Sequence, residues 1–358
     1  MKTRFYEIDL LRFISAFLVV IFHYTYTGYM EKFAVAADFE QLREVTRYAY
    51  VGINYFFIIS GFVIFMSVAD NSARHFVFSR FTRLFPAYWA ALLVTTLVTL
   101  LWGGEVFTVG FAQFVANLTM LNQVIGYKPI DSAYWTLFIE LKFYAVILVV
   151  LLLGWMRHFQ HIIAISLLAS TAALFHPWAQ QVDMFVAIFP HWSGYFAAGG
   201  VFYLIKRDGA SYYRIALLLL SYVFVIKQST LFGALMSRWF NIEFDALVIT
   251  TINSLFFAIF CVIAFCKTNP LRQSWCYYLG VLTYPLYLIH QHIGYMLINT
   301  FNEEVNLTLL VLLITVIAVM LSIMIHFFVE KPAARWLKAR YSQQVNQKSE
   351  TPCKPAVE

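Results

Sequence analysis

Ten predominantly apolar runs, most of them near 20 residues and each cut off by charged, Pro or Gly positions, organise almost the whole chain. They fall near 8–28, 50–69, 86–103, 135–154, 161–176, 185–205, 213–228, 245–266, 278–298 and 307–328, the fifth and seventh being the shortest. Runs of ~20 apolar residues match the length a helix needs to cross a bilayer core. The pattern therefore predicts an all-α, polytopic transmembrane helical bundle of about ten spans. From Lys331 onward the sequence turns polar, which divides the chain into a transmembrane domain, 1–330, and a polar tail, 331–358, expected to be disordered beyond Lys338.

Composition excludes a soluble fold. Hydrophobic residues make up 61%, charged residues 12%, and the mean hydropathy is +0.71, against ~45–50% apolar and ~25% charged for soluble domains. So few charges cannot cover a water-facing surface, and lipid has to solvate most of the outside. The 36 Phe and 22 Tyr suit helices facing acyl chains and interfaces. The net charge of +6 could suggest nucleic acid, but its placement argues otherwise. With the N-terminus cytoplasmic, inside segments hold sixteen Lys and Arg and outside segments five. That asymmetry is a positive-inside bias, so both termini are expected in the cytoplasm and no nucleic-acid partner is implied. Ala34-Val35-Ala36 after the first run imitates a signal-peptide site, yet Arg12 and His23 within the run and the distance to the triplet argue against cleavage. The four cysteines form no CxxC pair, and neither a disulfide framework nor a metal site is expected.

Ionisable residues inside spans carry the candidate chemistry, because leaving one in lipid costs at least ~2.5–3.5 kcal/mol. Arg12 and His23 lie 11 residues apart, within ~20° of three full helical turns, so both leave one face about 16 Å apart along the axis. A snorkelling arginine and a packed histidine are the plainer explanation; the shared face weakens it. Arg80 and Arg83, three apart after Arg74, could anchor headgroups or clamp phosphates with guanidinium forks. Glu140 sits inside the fourth run at a depth close to His23, with Tyr144 one turn on, so a carboxylate–imidazole contact is expected. Lys142 points to another side of that helix and must find a separate partner. Trp135 suits an interfacial anchor or a stacking platform. His290 and His292, two apart, face different ways and are not a metal pair.

The order of these motifs resembles the acyltransferase-3 membrane family over nearly the whole transmembrane chain. Glu7-Ile8-Asp9-Leu10-Leu11-Arg12-Phe13 followed ten residues later by Phe22-His23 is similar to its opening, and Ser60-Gly61-Phe62 to its second helix. Arg80, Arg83 and Pro86-Ala87-Tyr88-Trp89 follow, then Trp135-Thr136-Leu137 with Glu140 and Phe143-Tyr144, then Thr283 to His290, and Glu330-Lys331-Pro332. The resemblance implies transfer of an acyl group from cytoplasmic acyl-CoA, acetyl-CoA being the expected co-substrate, to a hydroxyl of a carbohydrate at a bacterial inner membrane, with no bound cofactor. On this reading His23 is the general base and Glu140 its partner. Arg12, Arg80, Arg83 and Ser60 hold the donor, and Trp135, Tyr144, Tyr287 and His290 line the acceptor side. A secondary transporter for an anionic metabolite would use the same buried Arg and His, though no inverted repeat is visible.

Overall fold

A computed structural model describes residues 5–34, 37–68, 72–266 and 273–350, with side chains to residue 343. Lys2, Arg4, Lys267, Arg272, the Val35-Ala36 pair and residues 351–358 lie outside the described residues. A helix stands at each of the ten expected positions, and no strand occurs among the described residues. We number the main helices α1 (Tyr6–Phe22), α2 (Val51–Val68), α3 (Ala73–Trp102), α4 (Trp135–Leu152), α5 (Phe159–Leu174), α6 (Ser193–Asp208), α7 (Tyr212–Phe240), α8 (Ala246–Phe265), α9 (Cys276–Ile289), α10 (Gln291–Phe301), α11 (Leu307–Met324) and α12 (Lys331–Glu350). Seven helical stretches are long and apolar enough to cross a membrane. The other three expected spans are α5 and α6, of 16 residues each, and the pair α9–α10, which breaks at His290.

Local chemistry sets the ends. Ser72 opens α3 by accepting from the His75 amide, Asp245 opens α8, and Asn306 opens α11, each supplying an oxygen to an otherwise unpaired first-turn N–H. The third span begins earlier than expected. α3 runs 30 residues, about 45 Å, straight through Pro86, so Arg74, Arg80 and Arg83 ride the first turns of the spanning helix itself. The missing Pro86 N–H is tolerated where helices pack around it.

α2 lies at the centre. Of its most apolar window 83% is buried, against 28% for α8 and for α11. It packs against α1 and α6, and α1 in turn against α9. Gly61 and Gly199 allow this: a Cβ on Gly61 would stand 2.2 Å from the Phe196 carbonyl oxygen, and one on Gly199 2.0 Å from that of Ile58. α6 is short because it is enclosed by protein from Gly194 to Ile205 and need not match the hydrocarbon thickness. The outer helices instead turn apolar stripes outward, Leu93, Leu97, Leu100 and Leu101 on α3 and Leu312, Val316 and Met320 on α11.

The expected disordered tail is helical through Glu350. Tyr341 of α12 stacks on Phe78 of α3 at 4.1 Å between centroids, with the Arg74 guanidinium 5.5 Å from the same ring, tying this helix to the basic end of the bundle.

Two outcomes check this architecture. Gly199→Val should push α2 and α6 apart and lower the unfolding free energy by at least about 1–3 kcal/mol; an unchanged transition in detergent would show that the two backbones are not in contact. In a cysteine-free background, Lys128→Cys should react with an impermeant maleimide in intact cells and Arg157→Cys only after the membrane is opened. The reverse labelling would invert the orientation.

Candidate active site

Two cavities, one at each end of α1, are lined by the polar residues singled out in the sequence. At the basic end a cavity of about 450 Å³ is lined by Arg12, Ser60, Arg80, Arg83, Glu140, Tyr144, Glu330 and, from α12, Lys331, Arg335 and Lys338. Six cationic side chains thus face two carboxylates. Glu140 is engaged twice through one oxygen: Ser60 Oγ donates to Oε1 at 2.8 Å and Tyr144 Oη at 2.6 Å. Arg83 donates to Glu330 at 3.2 Å, and the other oxygen of Glu330 accepts from His326 at 2.9 Å. Arg80 lies over the Tyr144 and Phe76 rings at 5.8 and 5.9 Å. Two guanidinium nitrogens, Arg80 Nε and Arg83 Nη2, are buried without a hydrogen-bond partner. Buried, unpaired cationic donors are costly unless an anion completes them. Glu330 closes a π-helical turn, Ile325–Glu330, which turns its carboxylate toward Arg83.

At the opposite end a cavity of about 330 Å³ is lined by His23, Glu31, Tyr50, Gln123, Ser132, Trp135, Phe185, Trp239 and Gln291. His23 begins a second π-helical turn, His23–Thr27, at the end of α1; such turns recur at functional sites because they break the regular register of side chains. His23 Nδ1 lies 2.8 Å from His290 Nε2, and His290 Nδ1 lies 2.8 Å from the Tyr287 carbonyl oxygen. That carbonyl can only accept, so with both rings neutral the tautomers follow. His290 carries its proton on Nδ1, its Nε2 accepts from His23 Nδ1–H, and His23 Nε2 keeps a free lone pair. The helix break at His290 makes this geometry available, and Tyr24 Oη fixes the break by donating to the His290 carbonyl at 2.6 Å. Asp131 ties the facing turn to the same place, its carboxylate accepting from the amides of Ala133 and His292.

Between the cavities the α1–α2 seam leaves only about 10 Å³, bordered by Ser15, Ala16, Val19, Gly52, Ile53, Phe56, Thr136 and Tyr287. Arg12, Ser15, Val19 and His23 form one continuous face of α1, which joins the two cavities along this seam.

Several expected placements change. Glu140 does not meet His23; entering deeper along α4, it faces the basic cavity, and His290 takes the position beside His23. Tyr144 follows Glu140 to the basic end rather than lining the other cavity. His290 is fully buried behind His23 instead of lining the pocket, and Tyr287 borders the seam, its hydroxyl paired with Thr136 at 2.7 Å. Trp135 does line the His23 cavity, edge-on to Phe185 at 4.9 Å. Arg12, Arg80, Arg83 and Ser60 come together as a group, as expected. Lys142 finds its own partner, the Val186 carbonyl. Lys331, Arg335 and Lys338 went unnoticed as cavity residues, although their i, i+4, i+7 spacing is a one-face helical signature.

Compared with known families, residues 5–327 match the acyltransferase-3 model, described as an acyltransferase domain. No curated protein and no solved structure matches the sequence.

Glu140 separates holding from charge. Glu140→Ala leaves two buried hydroxyls unpaired and should cost about 1–3 kcal/mol for each, whereas Glu140→Gln keeps an acceptor for both and should unfold close to the parent in the same denaturant titration. Equal losses in both variants would show that the carboxylate charge, not the hydrogen bonding, holds this corner.

Proposed function

The chain belongs to the acyltransferase-3 family and is a membrane acyltransferase, and from that premise we propose that it moves an acetyl group from cytoplasmic acetyl-CoA to a carbohydrate hydroxyl on the far face of a bacterial inner membrane. The observation that carries the donor half is the pair of unpaired guanidinium nitrogens, Arg80 Nε and Arg83 Nη2, in a cavity with six cations. Phosphate oxygens suit these donors, and Arg forks grip them in two places at once. Arg12, Lys331, Arg335 and Lys338 add long-range attraction for a polyanion. With phosphates held there, an extended thioester arm is long enough to cover the ~16 Å along α1 to His23, and the α1–α2 seam has to widen to admit it.

The acceptor half rests on the second cavity. Gln291 Oε1, Gln123 Oε1 and Tyr50 Oη have no partner there, and a polyhydroxylated ligand supplies both donors and acceptors to such groups. His23 Nε2 takes the proton of the acceptor hydroxyl as its oxygen attacks the thioester carbonyl. The new C–O bond forms, the C–S bond breaks, and the leaving thiolate takes the proton back from the His23 imidazolium. Products are the ester and free thiol, and His23 is again neutral. His290 holds His23 in the reactive tautomer and accepts from its Nδ1–H throughout, the part often taken by a carboxylate.

Inverted membrane vesicles given labelled acetyl-CoA should pass label to glycan; uptake of an intact solute without acylation would favour a transporter. Arg12→Ala should raise the donor KM about ten- to a hundredfold, since each charge-assisted hydrogen bond is worth ~1.5–3 kcal/mol. His23→Ala should lower kcat by roughly 10²–10⁴ with donor affinity nearly kept. His290→Leu should lower kcat with little change in donor KM, and His290→Gln, whose carbonyl can still accept from His23, should recover part of it. An active His23→Ala enzyme would remove the base assignment.

A further inference from the structure

A second cavity of about 480 Å³ adjoins the one that holds His23, and no role above uses it. The two share Phe185 and Trp239, whose rings stack at 5.6 Å with 20° between planes and form a ridge between them. Beyond the ridge the wall carries Gln180, Gln181, Asp183 and Arg238, with Leu231 and Leu235 beneath. The wall is built, not loose. Trp192, fully buried, donates from Nε1 to the Met184 carbonyl at 2.6 Å, and Asp183 accepts from the Phe185 amide at 2.9 Å. His191, 4% exposed, is held between the Val182 carbonyl and the Gln228 side-chain amide at 3.3 and 3.2 Å.

This mixture selects a chemistry. A carboxylate only accepts hydrogen bonds, a guanidinium only donates, and two primary amides do both. Opposite charges on one wall disfavour a simple anion or cation, while hydroxyl groups satisfy each of these side chains. Aromatic faces next to them take the C–H face of a saturated ring. Both cavities fall within the ~300–1,000 Å³ of small-molecule sites, and together they exceed what one small ring fills. Resting on the reading above that the acceptor is a carbohydrate, we propose that this cavity is a second sugar subsite, which binds the residue next to the one acylated, across the Phe185–Trp239 ridge. The acceptor is then a chain of at least two sugars, and the enzyme works on assembled glycan rather than on a free monosaccharide.

The full-length protein in detergent, labelled acetyl-CoA, and the producing cell's own surface glycan make the test. The glycan is stripped of esters with mild base and cut by partial acid hydrolysis into fragments of one, two and three residues. Acceptor kcat/KM should rise about tenfold from one residue to two. Arg238→Ala and Trp239→Ala, both at exposed positions, should each remove most of that rise, while Trp178→Ala, exposed and outside the lining of the cavity, should retain it. A flat dependence on length, or an undiminished rise in the two variants, overturns the subsite alone. Failure to acylate any fragment while acetyl-CoA still binds overturns the carbohydrate reading with it.

Discussion

A charge buried in hydrocarbon must find a counter-charge, a hydrogen bond or water, and the interior of this bundle is arranged by that requirement. Arg12, Arg80 and Arg83 are drawn to one end, where Glu140 and Glu330 meet them and α12 closes over the opening. The carboxylate of Glu140 is shared by two hydroxyls, so its position depends on Ser60 and Tyr144, and theirs on α2 and α4. Ser60 stands where it does because Gly61 beside it lets α2 sink onto α6. One glycine contact therefore sets the depth of the helix that carries the acidic partner's hydrogen bond. Packing and electrostatics are fixed by the same pair of neighbouring residues.

At the other end no carboxylate is the hydrogen-bond partner of the His23 or His290 ring. Two histidines in series on a backbone carbonyl orient the outer ring, when both are neutral, by donor and acceptor logic alone. A backbone carbonyl freed by the helix break stands behind the pair where a carboxylate could have stood, and the buried Asp131 carboxylate is engaged instead by the amides of Ala133 and His292. The break at His290, the Tyr24 hydroxyl on its carbonyl and the Asp131 turn that grips the next amide belong to one local device. It rigidifies the base from behind.

The helices were legible in the sequence because apolar runs of bilayer length have no other reading. Their ends were less so. The apolar run begins near Pro86, but helical backbone continues through the polar turns before it, where Ser72 caps the first turn and Tyr341 of α12 packs on Phe78. α6 and α9–α10 escaped the length rule because protein, not lipid, surrounds them. Among the site residues, the Arg12–His23 alignment followed from spacing alone, within one helix. The partner of His23 could not, since depth along two different helices says nothing about rotation. Residue spacing gives Glu140 and His23 similar depths, and the true neighbour, His290, comes from a helix whose interruption no periodicity marks.

The narrow seam between the two cavities has an electrical consequence. A water-filled passage beside Arg12 and His23 would let protons and ions run down the membrane potential, worth about 2.3 kcal/mol per charge per 100 mV. The space of about 10 Å³ between α1 and α2 holds no more than roughly one water, so the hydrophilic ends are insulated from one another by Val19, Ile53 and Phe56. An arm passes only where α1 and α2 part, and it then occupies the gap that their parting opens. The two polar ends of the bundle are thus separated by a dielectric barrier.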